Sequence, residues 1–105
     1  MSGIASVYAT FASPEEAERI GRAAIEERLA ACVNILGPCR SIYRWQGEVV
    51  DGAEVAALFK TSIAQAPALA SRIAALHSYE VPAVAIWPIA GGDAAYAAWV
   101  CAQVS

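Results

Sequence analysis

The order of hydrophobic patterns along the chain restricts its fold more than any other feature of the sequence. A short run rich in β-branched and aromatic residues predicts a first strand over 4–11. Ser13-Pro14-Glu15-Glu16 follows directly and is typical of a helix start, with a capping serine, a proline in the first turn and a glutamate three residues after the cap. We expect this helix to end near Leu29.

The rest of the chain continues this alternation. The predicted elements are a strand over 31–45, a return strand over 48–61, a helix over about 66–77, a strand over 81–89 and a short helix around 96–100. Gly37-Pro38 predicts a bulge or an edge position, because proline cannot donate to a ladder. The order β-α-β, β-α-β is that of the split βαβ, ferredoxin-like arrangement. We therefore predict a single α+β domain over 1–105, with two helices on one face of a four-stranded antiparallel sheet and a short C-terminal helix.

The chain carries unusually little charge for its size. It is 58% hydrophobic and 16% charged, whereas a typical domain is about 25% charged. A small domain has a large surface for its volume, so the simplest explanation is that copies of the chain bury apolar surface against one another. The alternative is that alanine, which tolerates exposure, raises the apolar count. We expect a homo-oligomer that uses the uncovered face of the sheet and the long hairpin.

Several classes of function are disfavoured. The net charge is −3 and the basic residues are scattered, which argues against a nucleic-acid partner. No apolar run reaches the roughly 18–20 residues that cross a bilayer, so no membrane partner is expected. The start of the chain lacks a secretory pattern, and three cysteines without metal-finger spacing favour free thiols in the cytoplasm. The familiar catalytic motifs are absent, so we predict no enzymatic activity.

The candidate metal ligands centre on the only histidine. His77 opens the stretch His77-Ser78-Tyr79-Glu80-Val81-Pro82, between a predicted helix and a predicted strand. Its imidazole suits copper, zinc or nickel, the sulfur of Cys32 suits copper(I), and Glu80 adds a carboxylate if the three converge. Tight sites use about three or four ligands, so neighbouring subunits would supply others. The competing interpretations are a histidine hydrogen-bonded at a helix end and a cysteine that packs as a small apolar residue.

A second group of residues predicts a ligand cleft. Lys60 follows a strongly apolar run, and four aromatic residues are candidates to line the same cleft: Tyr43, Trp45, Tyr79 and Trp99. One cation and several rings suit a small anionic or planar ligand. The alternative is that these aromatic residues belong to the core or to a subunit interface.

Several segments, taken in order, resemble a known family. The longest are Glu27-Arg28-Leu29-Ala30-Ala31-Cys32-Val33-Asn34-Ile35, Ser41-Ile42-Tyr43-Arg44-Trp45-Gln46-Gly47-Glu48, Leu58-Phe59-Lys60-Thr61 and His77-Ser78-Tyr79-Glu80-Val81-Pro82. This set covers nearly the whole chain and is similar to the CutA family of divalent-cation tolerance proteins. Ser78 and Ala83 depart from the pattern, since the family commonly has proline and glutamate there. The second change removes a carboxylate close to His77.

The resemblance implies a ferredoxin-like fold packed as a tight homotrimer, similar in shape to the PII signalling proteins, with clefts between subunits. It also implies a cytoplasmic protein associated with tolerance to copper and other divalent metals, with no accepted catalytic activity. From the family and the residues together we predict a homotrimer that binds a copper-type or other divalent metal ion. The alternative is a PII-like signalling module that binds a small ligand in the clefts between subunits.

Overall fold

A computed structural model describes residues 2–105 of the chain and leaves Met1 outside the description. In chain order its elements are β1 (Ile4–Phe11), α1 (Pro14–Glu26), β2 (Cys32–Trp45), β3 (Glu48–Ser62), α2 (Ala66–Leu76), β4 (Val84–Pro88) and α3 (Ala94–Gln103). The strands form one antiparallel sheet in the order β2-β3-β1-β4. This is the predicted split βαβ arrangement, and the predicted fold class is confirmed.

The main core lies between one face of the sheet and the helices α1 and α2. Successive strand residues point to opposite faces, so alternate positions of β1 and β3 face the helices. The largest fully buried side chains of this core are Val7, Phe11, Ile20, Phe59, Leu69 and Ile73. Burial of a side chain of this kind contributes about 1.5–3 kcal/mol, so this layer is the main source of stability.

Helix α1 begins as predicted and ends earlier. The side chain of Ser13 accepts the backbone N–H of Glu16 at 3.1 Å, and the apolar face expected for the helix is buried. The last helical residue is Glu26 rather than the expected Leu29. The reason is Arg28, whose φ of +59° is left-handed and stops the helix, while Leu29 and Ala30 both donate back to the Ala24 carbonyl.

The hairpin of β2 and β3 extends beyond the rest of the sheet. The predicted irregularity is a bulge between Ile35 and Gly37, and Gly37 has a φ of +98° that favours glycine. Strand β1 pairs with β3 only between Val55 and Ser62. Residues 39–54 therefore form a two-stranded ribbon, a structure that is only marginally stable alone in water. We call residues 39–54 the hairpin ribbon.

Strand β4 is shorter than predicted, running over Val84–Pro88 rather than 81–89. Residues 77–83 form a loop instead, which we call the His77 loop. Pro82 has no N–H for a ladder, and the amides of Ser78 and Tyr79 donate to side chains rather than to a strand. The His77 side chain contacts the Thr10 carbonyl just past the end of the β1–β4 ladder.

Helix α3 covers only part of the second face of the sheet. It contacts β1 and β3, and Val100 is fully buried. Ile4, which points to this second face, is 3% exposed. The half of the second face nearer the hairpin ribbon is not covered by α3. In the part of the chain that the structure describes, no helix has the length and apolar character to span a membrane.

Candidate functional site

His77 is buried at the start of its loop with both ring nitrogens engaged. The ring stacks on Phe11, with centroids 5.1 Å apart. Nε2 lies 2.7 Å from the Thr10 carbonyl oxygen, and the backbone N–H of Tyr79 reaches Nδ1 at 3.1 Å. Since an amide N–H can only donate, this pattern assigns the proton to Nε2, which donates to Thr10, and leaves Nδ1 as the acceptor. A metal ion at Nδ1 would have to displace the Tyr79 amide.

The carboxylate of Glu16 anchors the same loop to the start of α1. Its side chain is almost completely buried, and its two oxygens accept the backbone N–H groups of Ala12 at 3.1 Å and Ser78 at 2.9 Å. Burial raises the pKa of Glu16, but hydrogen bonds from Ser78 and Ala12 together with nearby His77 outweigh burial and leave the pKa lowered. Glu16 and His77 thus hold the His77 loop against the end of β1.

The His77 loop forms one wall of a groove on the second face of the sheet. The groove encloses about 750 Å³ between this loop, β1 and the hairpin ribbon. The residues that give it its chemistry are Tyr8, Tyr43, Trp45, Glu54, Tyr79 and Glu80. We call this cavity the aromatic groove. It combines rings with two carboxylates, and none of its lining residues is a lysine or an arginine.

Two phenols of the aromatic groove, those of Tyr8 and Tyr79, have raised pKa values. Burial and the adjacent Glu54 carboxylate raise the pKa of Tyr79 to about 12. Burial also raises the pKa of Tyr8, with Cys39 and Glu54 adding to the shift. Glu54 lines the groove and lies close enough to both rings to affect their pKa values.

The predicted cleft residues separate into two groups. Tyr43, Trp45 and Tyr79 line the aromatic groove. Lys60 lies at the other end of the sheet, where its Nζ donates to the side chain of Asn34 at 2.9 Å. Trp99 belongs to that end too, because its ring stacks on Tyr96 with centroids 6.1 Å apart, and the Tyr96 hydroxyl contacts Cys32, which pairs with Lys60.

The predicted metal ligands do not come together within one subunit. Cys32 stands opposite Lys60 in the sheet, and its sulfur contacts the Tyr96 hydroxyl at 3.4 Å. Thr10, the partner of His77, stands opposite Ala56, which is four residues or about 13 Å away along β3. Across residues 2–105 no three side chains among His, Cys, Asp and Glu cluster in a way that could hold a metal ion. The shared metal site stays a prediction that requires more than one subunit.

The sequence does not single out two side chains of this region, Glu54 in the groove wall and Glu16 beneath the His77 loop. Glu54 lies within the predicted return strand without a motif around it, and Glu16 is predicted only as part of a helix start. Alternation from the Gln46-Gly47 turn would have placed Glu54 on the same face as Tyr43 and Trp45, since Cys39 opposes Glu54 in the register. No local signal identifies the contact of Glu16 with Ser78, because it depends on tertiary packing.

Comparison with known proteins gives the family. The sequence model of the family described as CutA1 divalent ion tolerance protein matches residues 5–103. The chain is 49% identical over 94 residues to the divalent-cation tolerance protein CutA of Thermus thermophilus, with 90% of this chain and 91% of that protein covered. It is 35% identical over 88 residues to the corresponding protein of Pectobacterium atrosepticum, with 84% and 80% covered.

Solved structures agree with the sequence comparison. The divalent cation tolerance protein of Thermus thermophilus superposes with a TM-score of 0.93 at 45% identity, covering 97% of this chain and 99% of that one. CutA from Xylella fastidiosa superposes with a TM-score of 0.94 at 32% identity, covering 98% and 99%. The fold, the ordered segments and these relatives lead to one conclusion: the chain belongs to the CutA1 family of divalent ion tolerance proteins.

Proposed function

We propose that this protein is a non-catalytic homotrimer that binds divalent or copper-type metal ions and thereby contributes to metal tolerance. The observation that carries the proposal is the hairpin ribbon, which extends from the sheet with its apolar side chains exposed. Family membership gives the association with divalent cations, and the family resemblance supplies the number of subunits.

The surface of a single subunit supports self-association. Large apolar side chains stand exposed on the hairpin ribbon, including Ile42 at 69% and Val49 at 66%, and Trp87 is half exposed on the edge strand β4. Edge strands with unpaired backbone groups favour contact with other chains. Contact with sister subunits would cover these side chains. It would also stabilise the hairpin ribbon, because a two-stranded structure is only marginally stable alone in water.

The metal sites of this proposal lie between subunits. One subunit offers no cluster of three or more candidate ligands within residues 2–105, whereas tight sites need about three or four ligands. Cys32 is partly exposed and Glu80 is exposed, so both present donor atoms to a neighbour. His77 contributes only if its Nδ1 gives up the amide of Tyr79.

The test combines the assembly state with copper titration. Light scattering at micromolar concentration is expected to give a trimer, and anaerobic titration is expected to give copper binding that weakens in the double variant Cys32→Ser, Glu80→Gln. The matched control is Cys101→Ser, Glu15→Gln, which removes one thiol and one carboxylate elsewhere. A monomer, or equal copper affinity in both double variants, would contradict the proposal.

The aromatic groove favours a second candidate function, a PII-like module that senses a small ligand between subunits. Its volume of about 750 Å³ lies within the range of roughly 300–1,000 Å³ typical of small-molecule sites. A thermal-shift screen with metabolites separates the two candidates. Stabilisation by metal ions without any metabolite hit would count against the sensing function.

A further inference from the structure

Two rings of the aromatic groove, those of Tyr8 and Tyr79, are held in place by neighbouring side chains. Tyr8 stacks on Trp87, with ring centroids 5.0 Å apart and an angle of 12° between the rings. Tyr79 packs on His77, with centroids 4.7 Å apart. His77 is in turn fixed by its two hydrogen bonds and by Phe11. Two sides of the groove are therefore ordered before any ligand arrives, which lowers the entropic cost of binding.

Within one subunit, the Glu54 carboxylate of the groove lies beside the Tyr79 phenol and takes part in none of the ion pairs of the described residues. Glu54 is half-buried, and the ion pairs within residues 2–105 join other residues: Arg19–Glu16, Arg22–Glu18, Arg40–Asp51 and Arg72–Glu27. Lys60 is six residues away along β3, a distance of about 20 Å. A half-buried carboxylate without an ion pair is a suitable partner for a cationic group. A ligand that carries positive charge into the groove would supply the ion pair that Glu54 lacks within one subunit.

Rings and a carboxylate together favour one class of ligand. The faces of tyrosine and tryptophan rings attract ammonium and guanidinium groups, and this attraction grows when water is excluded. Hard divalent metals prefer about six or more oxygen ligands, whereas this groove offers two carboxylates and mostly apolar walls. Lys60, the residue that favoured an anionic ligand, lies outside the groove.

We propose that the aromatic groove binds a small organic cation, an alkylammonium or guanidinium group joined to an apolar body. Glu54 is the counter-ion, and the rings of Tyr43, Trp45 and Tyr79 surround the cationic group. This inference rests on the second candidate function, the sensing of a small ligand, and names the chemistry of that ligand. It does not depend on metal binding by the protein.

The experiment uses the whole protein in its natural assembly state and benzyltrimethylammonium chloride as the probe. Benzyl alcohol serves as the neutral counterpart, and sodium chloride keeps the ionic strength equal. The chain has three tryptophans, whose indole N–H signals can be followed by NMR in ¹⁵N-labelled protein. We expect the cation to shift the Trp45 signal and to leave Trp99 unchanged, and benzyl alcohol to have a much smaller effect.

Calorimetric titration of variants then tests the counter-ion. Replacing Glu54 by Gln is expected to weaken binding of the probe by roughly tenfold, because it removes the counter-charge and leaves the rings in place. The control Glu15→Gln makes the same charge change on the exposed first turn of α1 and is expected to leave binding unchanged. Thermal unfolding of both variants establishes that they are folded.

Three results would overturn the inference. The first is equal binding of the cation and benzyl alcohol, and the second is equal affinity in Glu54→Gln and the parent protein. The third is absence of probe binding to the parent protein; dissociation of Glu54→Gln in addition would indicate that a sister subunit fills the groove. In each case trimer formation and copper affinity of the parent protein remain separate measurements, so failure here is distinguishable from failure of the proposed function.

Discussion

The Oε2 atom of Glu16 accepts the backbone N–H of Ser78 at 2.9 Å, a contact between residues 62 positions apart. The other oxygen accepts the N–H of Ala12 at the end of β1. The buried carboxylate of Glu16 therefore joins the connection between β1 and α1 to the His77 loop, which forms one wall of the aromatic groove. The shape of the aromatic groove thus depends on the carboxylate of Glu16, which is not among the residues that line the groove.

Replacing Glu16 by Gln is expected to lower the free energy of unfolding by about 1–3 kcal/mol at neutral pH. The amide has only one oxygen, so its NH₂ group would face one of the two backbone N–H groups that the carboxylate now accepts. Since the folded-state pKa is lowered from 4.5, the contribution of Glu16 is present above the unfolded-state value. It is lost as the pH falls through the folded-state pKa. Denaturant unfolding across acidic pH is expected to show a smaller loss of stability in Glu16→Gln than in the parent protein.

Glu15→Gln is the matched control, because Glu15 is exposed one position earlier in the same turn. The outcome that contradicts this account is the same dependence of stability on pH in all three proteins.

The order of elements and the capped start of α1 were predictable because each depends on residues close in sequence. Ser13 and its glutamate act within one turn, and the buried face of α1 follows from helical spacing. The shortened β4 was not predictable, because it arises where backbone amides of the His77 loop donate to side chains. Local pattern cannot report such partners, which come together only after folding.

The candidate site was predictable in part for the same reason. Tyr43 and Trp45 share a face through strand alternation, and Tyr79 joins them because the His77 loop turns toward that face. Lys60 lies on the same strand as Glu54 but too far along it to share the site. The register of the sheet determines which of these two charged residues lies at the aromatic groove, and the amino-acid pattern of β3 alone does not give that register.

His77 is expected to act mainly as a structural residue. Replacing His77 by Phe keeps a ring beside Phe11 but leaves the Thr10 carbonyl and the Tyr79 amide without their partners. We expect a loss of roughly 2–6 kcal/mol in the free energy of unfolding, about 1–3 kcal/mol for each of the two groups. Copper affinity of the folded variant is expected to match that of the parent protein. A large loss of copper affinity with little loss of stability would instead identify His77 as a metal ligand.

The hairpin ribbon is expected to take part in assembly. Ile42 is 69% exposed in one subunit, so a charge at that position should cost a lone subunit less than about 0.5 kcal/mol. In an interface the same charge would lose its water, and we expect Ile42→Glu to shift the protein toward monomers. Sedimentation velocity at several concentrations measures this shift. The control Ile25→Glu places the same charge on α1 and is expected to leave assembly intact. Unchanged assembly of Ile42→Glu would remove the ribbon from the interface.

The close approach of α1 to β2 depends on Gly21, which has no side chain to separate them. A Cβ atom at this position would lie 3.1 Å from Cγ1 of Val33, closer than an ordinary contact. Alanine in a helix is favoured over glycine by about 0.5–1 kcal/mol, but here the added methyl group presses on Val33. We expect Gly21→Ala to give no gain in the parent protein and to give that gain in a Val33→Ala background, where the obstacle is removed. Denaturant unfolding of the parent protein, the two single variants and the double variant, all at the same protein concentration, measures the coupling between the two sites. Equal effects of Gly21→Ala in both backgrounds would show that the helix and the strand do not press on each other at this point.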